Sequence, residues 1–180
     1  MLTNTTNNHL WEWGKALLIA LLVVGAVRYF VFTPIVVDGQ SMMPTLNSGD
    51  RMIVNKLGEI ERFDIIVFHT PENKNYIKRV IGLPGDKIEY IDDELYINGK
   101  HFEEPYLEKY KQKENHPFTE TFTLEEKTGL ETVPEGELFV LGDNRLKSKD
   151  SRAIGTIKIS DVIGKTNLVI WPFQQIKLVH

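Results

Sequence analysis

The sequence predicts a mainly β fold: an antiparallel β-sheet core that carries a small inserted β-hairpin and loop subdomain and follows one N-terminal transmembrane helix. Three observations support this prediction. Residues 16–27 contain no charged or strongly polar side chain. From Pro34 onward, short runs of branched apolar residues alternate with Gly, Pro, Asn or Asp, which is typical of strands and turns. Residues 92–127 are strongly charged and interrupt these runs, which indicates a solvated insertion.

The N-terminal apolar run is long enough to span a bilayer once its aromatic flanks are included. As a helix, the segment from Trp11 to Phe32 would measure about 33 Å, against a hydrocarbon core of about 30 Å. Aromatic residues at both ends are typical of membrane interfaces. A cleaved signal peptide ending near Ala26 and a buried core helix are the alternatives.

These patterns predict a domain organisation. Residues 1–10 form a cytoplasmic N-terminus and 11–32 the anchor, 33–91 and 132–176 form the β core, and 92–131 form the charged insertion. One basic residue flanks each end of the apolar run, so the charge bias says little about orientation. The large polar domain that follows a short, weakly charged N-terminus favours translocation of the C-terminal side.

One turn within the charged stretch is strongly specified. Asn98-Gly99 separates two runs with apolar residues at every second position, and this dipeptide favours a type I′ turn because both of its positions need a positive φ. A β-hairpin is therefore expected here.

Composition excludes several classes of function. The chain has 21 Lys+Arg and 25 Asp+Glu, a net charge of −4, which argues against a nucleic-acid binder. It has no cysteine, so disulfides, thiol catalysis and cysteine-ligated zinc are excluded. The five histidines are scattered, which disfavours a Ser-His-Asp triad or a zinc site. No cofactor and no metal are expected.

Two residues could form a catalytic pair. Ser41 lies in a loop rich in Gly and Pro after a predicted strand, where a serine is usually a turn residue. Lys78 lies in a predicted strand, and its ordinary interpretation is a surface lysine. If its side of the strand were buried, desolvation would lower the lysine pKa, and the neutral amine could accept a hydroxyl proton.

A polar loop forms a third candidate feature. Residues 142–152 contain almost no apolar side chain and offer acidic and basic partners in Asp143, Arg145, Asp150 and Arg152. The ordinary interpretation is an exposed loop, but such a loop can also brace a site.

Three motifs together resemble the bacterial type I signal peptidases, and in particular the short single-anchor form of Gram-positive bacteria. They are Ser41-Met42-x-Pro44, Lys78-Arg79-Val80-x-Gly82-x-Pro84-Gly85-Asp86 and Gly142-Asp143-Asn144-Arg145-x-x-Ser148-x-Asp150-Ser151-Arg152. The similarity runs from the apolar helix to about Trp171. The resemblance implies a membrane-bound serine endopeptidase that removes signal peptides from secreted precursors after small residues, in an Ala-x-Ala pattern.

The resemblance also implies roles for individual residues. Ser41 would be the nucleophile and Lys78 the general base. Ser148 would orient the lysine, while Asp150, Arg152 and Arg79 would support the site through ion pairs. Met42 and Ile35 would line the substrate pocket. The expected partners are precursor proteins and the lipid bilayer, with no nucleic acid, for a monomeric enzyme with its catalytic domain outside the cell membrane.

Two positions depart from the family pattern. Gly39 stands where Gram-negative relatives carry a serine that assists the oxyanion hole, and we expect an ordinary φ at this position. Phe63 stands where the motif often has glycine, and we expect a local adjustment at the strand end. A specialised or catalytically silent homologue is the main alternative function, followed by a binding module. Self-cleaving SOS repressors share the dyad but lack the N-terminal helix.

Overall fold

The computed structural model describes residues 4–30, 32–112 and 116–179, with no side-chain description at 4–10, 26–30, 32 and 109. Residues 1–3 of the predicted N-terminus, Val31 of the predicted anchor and 113–115 of the predicted insertion lie outside the described residues. In chain order the elements are α1 (Asn4–Phe30), β1 (Phe32–Val36), β2 (Arg51–Asn55), β3 (Ile65–His69), β4 (Asn75–Gly82), β5 (Ile88–Ile91), β6 (Glu94–Ile97), β7 (Lys100–Phe102), α2 (Glu108–Lys111), β8 (Phe122–Thr123), α3 (Leu124–Thr128), β9 (Glu137–Leu141), α4 (Ser151–Ile154), β10 (Ile157–Lys158), β11 (Val162–Trp171) and β12 (Lys177–Leu178).

The N-terminal apolar run forms α1, and its side chains from 11 to 25 are all exposed. The sequence predicts a transmembrane anchor over 11–32. Within the part of the chain that the structure describes, no helix is both long and apolar enough to cross a membrane.

The remaining strands form two sheets in which every neighbouring pair is antiparallel. The larger sheet has the order β1-β2-β11-β3-β4-β9-β10, with β12 paired to β11, and the smaller has the order β7-β6-β5-β8. The prediction of a mainly antiparallel β fold is confirmed. The hairpin prediction is also confirmed, because Asn98 and Gly99 have φ angles of 53° and 76° between β6 and β7.

The smaller sheet begins four residues earlier than the predicted insertion. Its strand β5 pairs with β6 and β8, although the sequence places residues up to 91 in the core. Ile88 and Tyr90 pack on the same buried cluster as Leu95 and Phe122. An alternating pattern indicates that one face of a strand is buried, but it does not show which sheet the strand joins, so the sequence alone assigns β5 to the core.

Two hydrophobic clusters fix the positions of the site-bearing segments. One cluster joins the sheets, because Ile81 and Phe139 of the larger sheet pack with Tyr90 and Phe122 of the smaller. The other lies beneath the loop after β1 and includes the following residues: Val37, Met42, Leu46, Met52, Ile65 and Val169. Strand β4 runs between these clusters, and its C-terminal half is buried.

Candidate active site

Ser41 is held on a turn whose neighbours are fixed in the core. Met42 and Leu46 are buried, and Leu46 N–H donates to the Met42 carbonyl oxygen across 2.9 Å. Val37 closes the start of the loop through its N–H bond to Asp50 O. Because apolar side chains on either side are buried, the hydroxyl of Ser41 stays at the surface of the fold, half-exposed.

Lys78 reaches Ser41 from the middle of β4. Its Nζ donates to Ser41 Oγ at 2.8 Å and to the Ile77 carbonyl oxygen at 3.0 Å. Only 3% of Lys78 is exposed, and the ring of Tyr76, two residues earlier on the same face, lies 5.2 Å from Nζ. The two residues predicted as nucleophile and base are therefore in hydrogen-bond contact.

Burial lowers the pKa of Lys78 to about 8, because desolvation penalises the ammonium form. The carboxylates of Asp150 and Asp143 oppose this by favouring the charged form. A pKa near 8 leaves about a tenth of the lysine neutral at pH 7. The site can thus supply a base near neutral pH without a histidine.

Two short ion pairs involve the polar loop 142–152. Arg79 donates through Nε and Nη2 to the two oxygens of Asp143, at 2.9 and 2.7 Å, in a fully buried pair. Arg152 donates to both oxygens of Asp150 at 2.9 Å. Burial works against ionisation of Asp150, but the bonds and charge of Arg152 outweigh it and hold the Asp150 pKa below its ordinary value. Asp150 and Arg152, two of the residues that the resemblance implies as supports, therefore contact each other, whereas Arg79, a third, pairs with Asp143 instead.

Ser148, within this loop, lacks the contact with the lysine that the resemblance implies. Its Oγ is buried and makes no hydrogen bond of standard geometry to any described residue. It lies close enough to Asp150 to contribute to lowering the pKa of that carboxyl. A Cβ on Gly142 would come within 2.1 Å of this Oγ, so glycine leaves the space that Ser148 fills.

The structure adds a contact that the sequence did not single out. Asn144 N–H donates to the Ser41 carbonyl oxygen at 3.0 Å, and its side-chain Nδ2 donates to the Gln40 carbonyl oxygen at 3.1 Å. The side chain is an amide within an otherwise charged motif, and such a group is suited to binding backbone. The loop at 142–145 therefore binds the main chain at the nucleophile directly.

A cleft of about 600 Å³ opens beside the two residues. Ile35 and Met42, the predicted pocket residues, both line it. The other lining residues lie on three segments: Val36, Val37, Asp38, Gly39 and Ser41; Lys74, Asn75, Tyr76, Ile77 and Lys78; and Lys149.

Two backbone edges along this cleft are open in the described sheet. Strand β1 ends the sheet order and pairs only with β2. Strand β4 pairs with β9 only from Arg79 onward, which leaves Asn75–Lys78 free on that side. An extended peptide could add to such edges through main-chain hydrogen bonds.

Two backbone angles distinguish the site from the sequence expectations. Gly39 has a φ of +93°, so the expectation of an ordinary φ is wrong. Phe63 also has a positive φ, +71°, which explains why glycine suits this position. The strain at Phe63 is offset by contacts of its ring, which lies 6.0 Å from the ring of Tyr106 and 6.5 Å from that of Phe102.

The arrangement places a serine hydroxyl against a buried lysine amine, beside a cleft that has room for an extended peptide. The family model described as signal peptidase, peptidase S26, matches residues 10–171. The chain belongs to this family, which confirms the sequence-based prediction of a signal peptidase and serine endopeptidase.

Named relatives agree with the family match. The chain is 55% identical over 170 residues to signal peptidase I of Bacillus caldolyticus, covering 92% of this chain and 91% of that one. It is 42% identical over 177 residues to signal peptidase IB of Staphylococcus aureus strain Mu50, covering 93% of each. The crystal structure of a signal peptidase I from Enterococcus faecalis superposes with a TM-score of 0.58 at 49% identity, covering 61% of this chain and 97% of that one.

Proposed function

We propose that this protein is a membrane-bound endopeptidase with a Ser41/Lys78 dyad, which removes N-terminal signal peptides after small residues. The observation that carries the proposal is the 2.8 Å contact between Lys78 Nζ and Ser41 Oγ, made by a buried lysine. A catalytically silent homologue has no need to keep a buried amine against a serine hydroxyl. This pairing therefore favours the active enzyme over the silent alternative.

The chemistry follows from the positions of these two side chains. Neutral Lys78 accepts the Ser41 hydroxyl proton while Oγ bonds to the scissile carbonyl carbon. The tetrahedral intermediate then breaks its C–N bond, and Lys78 returns the proton to the departing amine. In the second half, Lys78 takes a proton from water, the hydroxide attacks the acyl ester, and Ser41 leaves with its proton restored.

Backbone groups are the obvious donors for the developing oxyanion. Gly39 carries no side-chain donor, and the backbone N–H of Ser41, at the nucleophile itself, is a candidate donor. Preorganised donors of this kind contribute about 2.7–4 kcal/mol each in other hydrolases. The bonds from Asn144 to the main chain of Gln40 and Ser41 support this role, because they fix the peptide that carries the donor.

The cleft supports a preference for small residues near the cut. A precursor segment in extended form could pair with the open edge of β1 on one side and with Asn75–Lys78 on the other. Alternate side chains of that segment would then point toward the buried floor at Met42 and the half-buried Ile35. Shallow apolar floors of this kind accommodate alanine at the first and third positions before the cut.

The proposal is tested by incubating the detergent-solubilised full chain with a secretory precursor. We expect one cleavage after the Ala-x-Ala segment, and no turnover above background with Ser41→Ala of unchanged circular dichroism. A precursor with leucine at both alanine positions should be cleaved at least about tenfold more slowly. Equal cleavage by the Ser41→Ala variant would remove the dyad from the mechanism.

We also propose that α1 attaches the enzyme to the cell membrane as a single-pass anchor, with the N-terminus cytoplasmic and the catalytic domain outside. The exposed apolar side chains of residues 16–25 support this attachment, because a helix in water would not leave so many uncovered. The enzyme is proposed to act as a monomer. Protease added to intact, wall-stripped cells should degrade the catalytic domain, and protection until lysis would reverse the orientation.

A further inference from the structure

Arg145 is a buried cation that the proposed chemistry does not use. Its side chain is fully buried, and it forms a 2.5 Å ion pair through Nη2 with Glu104 Oε1, whose side chain is also buried. Its Nη1 donates to Tyr90 Oη at 2.9 Å and to Thr119 Oγ1 at 3.2 Å. Burial would raise the pKa of Glu104, but the charge and bonds of Arg145 outweigh it and hold that pKa below its ordinary value. The pair is therefore fully charged near neutral pH.

The partners of Arg145 belong to the smaller sheet and its connections. Glu104 follows β7, Tyr90 lies on β5, and Thr119 precedes β8. Arg145 itself lies in the loop of the larger sheet that follows β9. We name this contact the Glu104–Arg145 bridge. It joins the insertion to the loop that contacts the nucleophile.

On the core side, Arg145 fixes its own loop. Its Nε donates to the Gly142 carbonyl oxygen at 3.1 Å, and its own carbonyl oxygen accepts from Arg152 Nη2 at 2.7 Å. Asn144, one of the two residues between Gly142 and Arg145, donates to the carbonyl oxygens of Gln40 and Ser41. Glu104 is thus connected to the main chain of the nucleophile through one side chain and one loop.

A second route connects Glu104 to Arg79, the neighbour of Lys78. Tyr106 Oη donates to Glu104 Oε1 at 2.6 Å. The ring of Tyr106 stacks under the guanidinium of Arg79, with 3.8 Å between the ring centroid and Cζ. Arg79 is the neighbour of Lys78 and the partner of Asp143. The same carboxylate therefore braces both halves of the dyad.

Stability alone is a poor reason for such a bridge. Taking two charges out of water costs several kcal/mol per ion, and well-packed apolar residues of similar volume often stabilise a fold as well or better. What an apolar replacement does not supply is fixed direction, because a guanidinium with several oriented donors sets the position of its loop. The bridge is suited to positioning.

We propose that Glu104 and Arg145 are positioning residues for catalysis, through which the inserted sheet sets where the Ser41 main chain and its oxyanion donor lie. This inference rests on the proposed peptidase function and adds a role for the insertion. A shift of about 1 Å in a catalytic group can cost a hundredfold in rate, so a modest relaxation of the loop should be measurable.

The test is Glu104→Gln in the full-length enzyme, assayed well below its melting temperature with a peptide substrate. We expect kcat to fall at least about tenfold while KM stays within about twofold, because the cleft residues are untouched. Backbone amides of residues 142–145 should exchange hydrogen faster than in the wild type. Unchanged kcat together with unchanged exchange in this segment would overturn the proposal, whatever the change in melting temperature.

Two control variants separate positioning from stability. Glu94→Gln removes an exposed carboxylate of the same sheet that pairs with His101, and kcat should stay at the wild-type value. Ile97→Val trims a buried side chain of the same sheet and lowers stability without touching the bridge. A kcat loss in Ile97→Val equal to that of Glu104→Gln would contradict a positioning role.

Should Glu104→Gln fail to fold, Tyr90→Phe provides the second variant. It removes one hydroxyl that accepts from Arg145 and donates to Glu104, both at 2.9 Å, and keeps the buried ring. A two- to fivefold loss of kcat with faster exchange at 142–145 supports the bridge, and wild-type kcat overturns it. The hydrogen-exchange measurement needs no turnover, so it still tests the bridge when the enzyme is inactive. If the wild type cleaves no precursor, that result refutes the proposed function but not the bridge.

Discussion

At the scale of single residues, the base at Lys78 is costly to keep in the fold. Its pKa is lowered from 10.5 to about 8 by burial, so at neutral pH the ammonium form is held against a desolvation penalty. A shift of this size corresponds to about 3 kcal/mol between the folded and unfolded states. The penalty is fully present below pH 8 and fades between pH 8 and 10.5, where the unfolded chain would still bind the proton.

Lys78→Met should therefore be inactive and more stable than the wild type. At pH 7 we expect a gain of about 1–3 kcal/mol in the free energy of unfolding, because the buried charge is replaced by an apolar chain of similar length. The gain should shrink as pH rises from 8 to 10.5. Urea unfolding at pH 7 and pH 10 measures both effects, and a variant less stable than the wild type at pH 7 would contradict this account.

The same pKa sets the pH dependence of the wild-type activity. Lys78 must lose its proton to act as a base, so activity should rise from pH 6 and level off above about pH 8–9. The neutral fraction grows from about 1% at pH 6 to about 90% at pH 9. Initial rates at saturating and limiting substrate across this range check the prediction. A profile that is flat from pH 6 to 9 would exclude Lys78 as the titrating base.

Gly39 makes a further prediction at this scale. A φ of +93° disfavours any side chain, although no atom lies within 4 Å of an added Cβ. Gly39→Ala and Gly39→Ser should both strain the loop by about 1–2 kcal/mol and lower kcat. The ratio of kcat in the two variants isolates the effect of the serine hydroxyl, because both variants carry the same backbone strain. Thermal unfolding and kinetics measure both, and a serine variant faster than the wild type would show that the loop tolerates the change.

At the scale of elements, the loop 142–152 supplies the carboxylates that oppose the lowered lysine pKa. Asp150 raises the Lys78 pKa more than Asp143 does. Removing one of them should lower the Lys78 pKa further, since a negative charge favours the ammonium form. The loop therefore raises the Lys78 pKa and also holds the main chain at Ser41.

Asp150→Asn should shift the rising limb of the activity profile to lower pH. The amide keeps the shape of the side chain and loses the charge that raises the lysine pKa. It also leaves Arg152 without its ionic partner, so stability should fall by about 1–3 kcal/mol. Asp64→Asn, at a half-exposed pair with Lys165, is the matched control and should leave the limb in place. A limb that moves to higher pH in Asp150→Asn would reverse the assigned sign.

At the scale of the whole molecule, we expect the helix and the β domain to have separable roles. The β domain contains the hydrophobic clusters, the ion pairs of Arg79 and Arg152, and the cleft, all within residues 32–179. The exposed side chains of α1 make no comparable core. The domain should therefore fold without the helix, whereas access to membrane-borne precursors should require it.

Deleting residues 1–31 should leave cleavage of a soluble signal-peptide substrate within about threefold of the full chain. Cleavage of a precursor held in lipid vesicles should fall at least about tenfold, because without the proposed anchor the enzyme would no longer be concentrated at the bilayer. Rates on the two substrates, measured with both proteins, check this. Equal loss on both substrates would mean that the helix is part of the catalytic unit.

The sequence by itself determined the strand pattern, the hairpin at Asn98-Gly99 and the pairing of candidate chemistry in Ser41 and Lys78. The strand pattern and the hairpin are readable because they depend on alternation and turn preferences, whereas the pairing of Ser41 and Lys78 came from three motifs that resemble a known family. Whether Lys78 faced the core was not readable, because alternation gives two faces without saying which is buried. For the same reason the sequence extended the core through β5, which the structure pairs in the smaller sheet.

Three features came only from the tertiary structure: the positive φ at Gly39, the hydrogen bonds of Asn144 to the main chain of Gln40 and Ser41, and the Glu104–Arg145 bridge. Asn144 and Ser41 are about a hundred residues apart in the chain, and no local pattern encodes which distant backbone a side chain will meet. The φ of Gly39 follows from how β1 and the serine loop are tied to Asp50 and the core beneath. These features arise because packing, rather than local preference, fixes the relative positions of the two sheets and the loops between them.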